Sequence, residues 1–117
     1  MTQKKLTPQK FKSFVETELD ELQAIDVVYM DISKLTTVAE GLWVTTGRSK
    51  RHVQAIAENL VDKLKAYGEP VLSMSGYENA DWILIDCDTY LVHIMLAPIR
   101  ELYQLEDLWK TSKRHTD

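Results

Sequence analysis

Residues 76–109, GYENADWILIDCDTYLVHIMLAPIRELYQLEDLW, carry the strongest pattern in this 117-residue chain. Two apolar runs, Trp82–Ile85 and Tyr90–Leu96, flank the polar tetrad DCDT at residues 86–89. Runs of β-branched and aromatic residues bounded by turn-forming residues are typical of a β-hairpin. Pro98 ends the second strand because proline has no N–H to donate to the ladder. Beyond it, helical spacing predicts a short C-terminal helix or helical turn that carries Leu102, Leu105, Leu108 and Trp109.

The remaining elements follow from apolar periodicity and from turn residues. A helix begins at Pro8, after the N-cap residue Thr7, and runs to about Leu22. A second helix over Arg51–Tyr67 has apolar residues at i, i+3, i+4 and i+7, with Ser49 as its N-cap. Short apolar runs predict three more strands, at Val27–Met30, Leu42–Thr46 and Val71–Met74.

The order of these elements is α, β, β, α, β, β, β and a short helix. It predicts an α/β fold, a single domain over residues 1–117 with a mixed sheet of about five strands flanked by helices. The second helix makes a right-handed βαβ crossover if the strands that it joins are parallel. Residues 1–6 and 111–117 are polar and lack periodicity, so we expect them to be disordered tails.

Composition excludes several classes of protein. A net charge of −4, with 44% apolar and 27% charged residues, is that of an ordinary soluble domain. Cys87 is the single cysteine, so we expect neither an intrachain disulfide nor a cysteine-based metal site. The N-terminal MTQKKLTPQKF lacks the apolar core of a secretory signal, and no apolar run approaches the ~18 residues that span a membrane. We therefore expect a cytoplasmic protein.

Acidic residues dominate the second half of the chain. From Glu69 to Asp107, eight aspartates and glutamates face the single cation Arg100. Such a surface disfavours nucleic acid and favours a basic protein partner. The alternative is an acidic face that is merely solvated.

A strand–loop–helix junction at residues 45–52, TTGRSKRH, concentrates cations. Free N–H groups at the start of a helix bind anions, so a phosphate site is conceivable here. The loop has one glycine, however, and it matches neither the P-loop nor the dinucleotide fingerprint. We interpret it as an ordinary helix start. A contact with a macromolecular partner through Arg48, Ser49, Arg51 and His52 is the alternative.

Asp86 and Asp88 resemble the Asp-x-Asp metal-binding pair of nucleotidyltransferases, which closely follows a Gly-Ser turn. Here the pair comes about forty residues after Gly47, so we assign it to the hairpin turn rather than to Mg²⁺. His93 lies in mid-strand and is interpreted as a hydrogen-bonded structural residue. No serine, cysteine or second histidine stands at a spacing that suggests a triad, and His52 and His115 complete no metal set. We predict no catalytic residues, metal or cofactor.

Two blocks of residues resemble the bacterial ribosomal silencing factor (Iojap) family. The first is TG-x-S-x-RHV at residues 46–53, and the second runs over residues 80–109 as ADW, three aliphatic residues and D, then VH, then R-x-x-Y-x-LE-x-LW. Both stand in the order that the family has. They comprise Thr46, Gly47, Ser49, Arg51, His52, Val53, Ala80, Asp81, Trp82, Asp86, Val92, His93, Arg100, Tyr103, Leu105, Glu106, Leu108 and Trp109.

The resemblance implies a nucleotidyltransferase-like topology without the catalytic set. It implies a protein that binds the large ribosomal subunit through ribosomal protein number fourteen and sterically blocks the small subunit, so repressing translation. That mechanism needs no chemistry, and members commonly form homodimers. The motif further places a partner surface at one edge of the hairpin, composed of Asp81, Trp82, Met95, Arg100 and Tyr103. Trp82 and Tyr103 remain open as core or interface residues, whereas Trp43 and Trp109 are assigned to packing.

The chain departs from the family pattern at three places. Asp88-Thr89 replaces the usual Gly-Asp of the hairpin turn, Glu40 replaces an aspartate, and Leu102 replaces a phenylalanine. Aspartate is second to glycine in tolerating the left-handed conformation required there, so these departures bear on the turn geometry and the fine contacts and not on the family. Two other functions are considered: a nucleotidyltransferase-like enzyme or nucleotide-binding protein, and an RNA-binding module, which the acidic hairpin region disfavours.

Overall fold

The computed structural model describes residues 6–107, and its element order is the one predicted. Because the boundaries follow caps and turns, most of them fall within two residues of the expected positions. The elements are α1 (Pro8–Glu21), β1 (Ile25–Asp31), β2 (Gly41–Gly47), α2 (Lys50–Ala66), β3 (Ser73–Ser75), β4 (Trp82–Asp86), β5 (Tyr90–Leu96) and α3 (Ala97–Tyr103).

The strands form one five-stranded sheet in the order β1-β2-β5-β4-β3. β2 and β5 pair in parallel, and the β1–β2, β4–β5 and β3–β4 pairs are antiparallel. The predicted hairpin is therefore present, and the predicted α/β fold with a mixed sheet is confirmed. These pairings make β3 parallel to β2, so α2 is a crossover between parallel strands.

Both long helices begin at side-chain caps that the sequence predicts. Thr7 Oγ1 accepts the N–H of Lys10 at 3.2 Å, and Ser49 Oγ accepts the N–H of His52 at 3.1 Å. Gly47 ends β2 because α2 passes close to it: a Cβ added there would lie 2.7 Å from Val53 Cγ2. The absence of a side chain at Gly47 thus lets α2 pack directly on the end of its preceding strand.

The two faces of the sheet are covered unequally. α1 and α2 bury the first face, where apolar side chains of both helices pack on Trp43, Ile83, Ile85, Val92 and Ile94. On the second face a smaller cluster of Ile32, Ala39, Leu42, Val44 and Met95 is buried, with Ile99 and Leu105 packed against it. We call this second face the open face, because its other apolar members stay half-buried. These are Met30, Trp82, Leu84 and Leu91, and the polar His93 lies among them.

The C-terminal helix differs from its prediction. α3 begins at Ala97 with Pro98 in its first turn, and it ends at Tyr103 because the next residue, Gln104, has a left-handed φ of 49°. The helix end separates the two leucines: Leu102 is 71% exposed to solvent, whereas Leu105 packs against the buried cluster of the open face. The expected common face for the leucines is therefore wrong at Leu102. Leu108 and Trp109 lie outside the described residues.

Two other boundaries also move. β3 begins at Ser73, two residues later than predicted, because ladder pairing starts only where Ser73 lies opposite Asp86. Leu6, assigned to the N-terminal tail, contacts the fold: its N–H donates to Glu69 Oε2 at 2.6 Å, and its side chain packs on the core. The rest of the two expected tails, residues 1–5 and 111–117, lies outside the described part of the chain.

The conformation of Asp88 in the hairpin turn predicts how substitutions at this position change the stability of the fold. Asp88 has a φ of 76°, and its N–H donates to Asp86 Oδ1 at 3.0 Å. A left-handed conformation is costly for a residue with a Cβ and free for glycine. We expect Asp88→Ala to be less stable than Asp88→Gly by about 1 kcal/mol, measured by urea unfolding. Equal stability of the two variants would contradict a left-handed turn residue.

Candidate functional site

The end of the hairpin places Trp82 at one corner of the open face. Ala80 turns the chain with a φ of 61°, and its N–H donates to the carbonyl of Gly76 at 2.9 Å. The carbonyl of Asp81 then accepts the N–H of Leu96 at 3.0 Å, which closes the hairpin. Trp82 lies directly opposite Met95. The predicted juxtaposition of these two residues is therefore present in the backbone.

The Trp82 side chain lies between a histidine and a tyrosine. Its indole N–H donates to His93 Nδ1 at 3.0 Å. Its ring is 4.9 Å from the ring of Tyr103, at an interplanar angle of 51°. Trp82 is half-buried and Tyr103 is 54% exposed, so the pair presents aromatic surface to solvent. Trp82 is thus partly core and partly surface, which the sequence left open.

Met95 lies beneath this surface and is fully buried. It packs in the cluster with Ile32, Leu42 and Val44. The expectation that Met95 forms part of a contact surface is wrong, because no part of its side chain reaches solvent. It supports Trp82 from below instead.

Arg100 ties α3 to the sheet. Its Nη1 donates to Thr46 Oγ1 at 2.9 Å, and its Nη2 and Nε donate to Glu106 at 2.8 and 3.4 Å. The Arg100 side chain is only 13% exposed. It is therefore a structural link and does not form the exposed charged rim expected for it. Thr46 and Glu106 both belong to the motifs quoted above. Thr46 is 54 positions from Arg100 and Glu106 is 6 positions from it, and neither spacing predicts the contact from the sequence.

Asp81 stays at the margin of the aromatic pair. One carboxylate oxygen accepts the Asn79 Nδ2 N–H at 3.2 Å, and the residue is half-buried. Of the five predicted partner-binding residues, the structure therefore brings Asp81, Trp82 and Tyr103 to the surface together. It places Met95 and Arg100 in supporting positions.

His93 is held in the middle of the sheet, between Val44 of β2 and Leu84 of β4. Burial lowers the pKa of His93 from 6.5 to about 4. The imidazole is therefore neutral at physiological pH, with Nδ1 free to accept the Trp82 N–H. The interpretation of His93 as a hydrogen-bonded structural residue is confirmed.

The second predicted set lies at the start of α2, and part of it is engaged in local structure. His52 Nδ1 accepts the N–H of Arg48 at 2.9 Å, so its Nε2 carries the proton and donates to the carbonyl of Leu22 at 2.8 Å. Ser49 is the helix cap. Arg51 is exposed. These contacts support the interpretation of an ordinary helix start.

A cleft of about 770 Å³ separates this loop from α3. It brings Arg48 and Ser49 beside Arg100, while Arg51 and His52 are not among its lining residues. Cations and acids line it together, and Arg100 is already paired with Glu106. The charged side chains on its wall are Asp26, Arg48, Lys50, Arg100, Glu101, Glu106 and Asp107.

Asp86 and Asp88 lie far from this cleft. Along β5, Gly47 is opposite Leu96 whereas Asp86 is opposite Leu91, so the two sites are separated by about 16 Å of strand. Within residues 6–107, no group of three or more His, Cys, Asp or Glu side chains is placed to hold a metal ion. The arrangement supports the assignment of both aspartates to the turn.

In the same part of the chain, residues 6–107, no helix combines the length and the apolar character needed to cross a bilayer.

Comparisons of the sequence and of the structure with known proteins find the same group of relatives. A family profile described as "Ribosomal silencing factor during starvation" matches residues 5–117. A ribosomal silencing factor from Haemophilus influenzae is 38% identical over 82% of this chain and 94% of its own. One from Chromobacterium violaceum is 33% identical over 90% of this chain and 86% of its own. A crystal structure of a Chromobacterium violaceum protein superposes with a TM-score of 0.87 at 32% identity, covering 90% of this chain and 88% of that one.

The buried histidine predicts a pH-dependent stability. Because the pKa of His93 is lowered on folding, the unfolded chain takes up a proton at a higher pH than the folded chain does. The His93 contribution is complete above pH 6.5 and is lost as the pH falls to about 4. Each pKa unit corresponds to about 1.4 kcal/mol, so we expect a loss of up to about 3 kcal/mol.

Chemical unfolding between pH 7 and 4 measures this loss. The His93→Asn variant, which does not titrate in this range, is the control, because both proteins share every other ionisable group. As the pH falls, the wild type should lose up to about 3 kcal/mol of stability relative to His93→Asn. Curves that stay parallel would contradict a buried neutral histidine.

Proposed function

The chain belongs to the ribosomal silencing factor family, and from this we propose that it binds the large ribosomal subunit and prevents the small subunit from joining. The family consists of ribosome-binding regulators of translation that are not enzymes, so the chain is a regulator and not an enzyme. The observation that carries the proposed binding mode is the exposed Trp82–Tyr103 pair on the open face.

The open face has the character of a protein-binding surface. Tyrosine and tryptophan are the usual anchors of interfaces, since they bury a large apolar area and retain a polar tip. Next to Trp82, a depression of about 270 Å³ is lined by Ser75, Gly76 and Leu84. The exposed side chain of Leu102 lies one residue before Tyr103. The depression offers a partner side chain a concave site beside Trp82, and Tyr103 and Leu102 add exposed apolar surface nearby along the chain.

The charges near the patch favour a basic partner. Glu78 and Asp81 precede Trp82, and Glu101 and Asp107 flank Tyr103 along the chain. The nearby cation Arg100 is paired with Glu106 and does not offset these acids. Acids on the rim of an interface steer a basic protein and increase its association rate. We therefore propose ribosomal protein number fourteen of the large subunit as the partner that contacts this surface.

The mechanism requires only steric exclusion. A folded domain bound where the two subunits meet cannot coexist with the close contacts that hold an assembled ribosome together. No bond is made or broken, which agrees with the separation of Asp86 and Asp88 from the cleft at Gly47. The proposal places the protein where subunits join, which in a bacterium is the cytoplasm. Arg48, Ser49, Arg51 and His52 remain proposed as a secondary contact, in which the first three are exposed and His52 is half-buried.

Sedimentation of mixed subunits tests the proposal. Added protein should move material from the assembled peak to the free subunits and should itself migrate with the large subunit. The Asp86→Asn, Asp88→Asn double variant should act within a few-fold of the wild type, because neither aspartate is assigned to the contact surface. Migration with the small subunit alone would refute the proposal.

A matched pair of tyrosine variants tests the surface itself. Tyr103 and Tyr67 are 54% and 47% exposed, but Tyr67 contacts Phe14 on the helical side of the sheet. Tyr103→Ala should weaken binding to large subunits at least tenfold, as expected for a hot-spot residue. Tyr67→Ala should bind like the wild type. Equal effects of the two substitutions would remove Tyr103 from the interface.

We also propose that the protein forms a homodimer, as members of its family commonly do. Light scattering at micromolar concentration should report about twice the mass of one chain, which is 13.5 kDa. A monomer under these conditions would contradict this part of the proposal and leave the ribosome-binding part standing.

A further inference from the structure

The Trp82 indole is partly exposed to solvent, so its orientation depends on the side chains that contact it. It stands on the first residue of β4, where the chain has just turned, and it is half-buried. Met95 lies beneath the ring, and two aromatic side chains flank it: Tyr103, which is itself exposed, and His93, which is not. The directional contact is the hydrogen bond to His93, because apolar packing alone does not fix the direction of the indole N–H.

His93 is well suited to hold another side chain. It stands in mid-β5, a strand paired on both sides, with Val44 and Leu84 as its neighbours across the ladders. Its Nδ1 points at the Trp82 N–H at 3.0 Å, and the two rings are 5.9 Å apart. A residue in the centre of a sheet has little freedom to move, so the acceptor has a fixed position.

The groups around His93 keep its ring neutral. The side chains opposite it on β2 and β4 are apolar, and Asp86 is opposite Leu91 instead. On α3, Arg100 is paired with Glu106, and Tyr103 contacts Trp82. Protonation at Nδ1 would replace the acceptor with a donor and break the bond to the indole.

We propose that His93 is a positioning residue for partner binding: its Nδ1 fixes the Trp82 indole in the orientation that the partner contacts. This inference rests on the proposed function, because it assigns a role within the same surface. His93 itself does not contact the partner. It reduces the loss of side-chain freedom on binding, which otherwise weakens an interface.

Three variants separate this role from simple packing. His93→Leu keeps a similar apolar volume and removes the acceptor. His93→Asn places an amide oxygen near the position of Nδ1 and retains an acceptor. Trp82→Phe keeps an aromatic ring and removes the donor. Each is purified as the full chain, and thermal unfolding establishes that it is folded before binding is measured.

The first readout is the indole ¹H–¹⁵N resonance of Trp82, assigned as the one that Trp82→Phe removes. We expect His93→Leu to shift this resonance upfield, because the hydrogen bond is lost, and His93→Asn to restore most of the shift. An unchanged resonance in a folded His93→Leu protein would overturn the proposal without reference to the ribosome.

The second readout is affinity for purified large subunits. Loss of one hydrogen bond that orients a binding residue should weaken binding about three- to tenfold in His93→Leu. His93→Asn should bind within about twofold of the wild type. In the Trp82→Phe background, His93→Asn and His93→Leu should bind equally, because no donor remains for either to distinguish.

The outcomes distinguish this inference from the proposed function. If the wild type fails to bind large subunits, the proposed function fails, and the indole resonance still reports whether His93 orients Trp82. If the wild type binds and His93→Leu binds equally well, the positioning role is wrong and the proposed function stands. If His93→Leu does not fold, His93→Ala, which also lacks the acceptor, takes its place in both the Trp82 and the Trp82→Phe backgrounds. Weaker binding than His93→Asn that is confined to the Trp82 background supports the role, and equal binding in the Trp82 background overturns it.

Discussion

The parallel pairing of β2 with β5 is the constraint on which the rest of the structure depends. Both strands are seven residues long and pair without a break from Gly41–Tyr90 to Gly47–Leu96. β2 is buried at every position. Because parallel strands cannot be joined by a tight turn, the chain between them must leave the sheet, form α2 and return through β3 and β4. The same pairing brings Gly47 beside Leu96, so that Arg100 of α3 reaches Thr46 of β2.

The unequal cover of the sheet follows from this topology. α1 and α2 both pack on one face, and among residues 6–107 the other receives only the β1–β2 connection and the C-terminal segment that contains α3. A face covered in this way leaves aromatic and aliphatic side chains half in solvent, and exposed apolar patches on small proteins commonly mark binding sites. The aromatic pair at the corner of the open face is stabilised from below by Met95 and from the side by His93.

The sheet has an edge at which many α/β proteins bind ligands, but in this regulator the residues at that edge are engaged in local structure. The loop after β2 and the start of α2 occupy a place where many α/β proteins bind ligands, beyond the carboxyl ends of parallel strands. Here Ser49 caps the helix, His52 bridges Arg48 and Leu22, and Arg100 is neutralised by Glu106. The carboxylates of Asp86 and Asp88 lie at the opposite end of β5. The surface that the fold leaves available is the open face, where we propose that the partner binds.

The amino-acid sequence by itself determined the element order, both helix caps, the β4–β5 hairpin and the family, because each depends on residues close together in the chain. Capping, turn conformation and strand alternation are local, and motif spacing is read directly. Only the tertiary structure decided that Met95 is buried, that Arg100 bonds Thr46 and Glu106, and that His93 accepts the Trp82 N–H. A residue on a strand faces one side of a sheet, but what covers that side is set by distant segments. Leu102 and Leu105 show what spacing alone does not predict. The left-handed residue Gln104 lies between them, so Leu102 is exposed to solvent and Leu105 packs against the buried cluster of the open face.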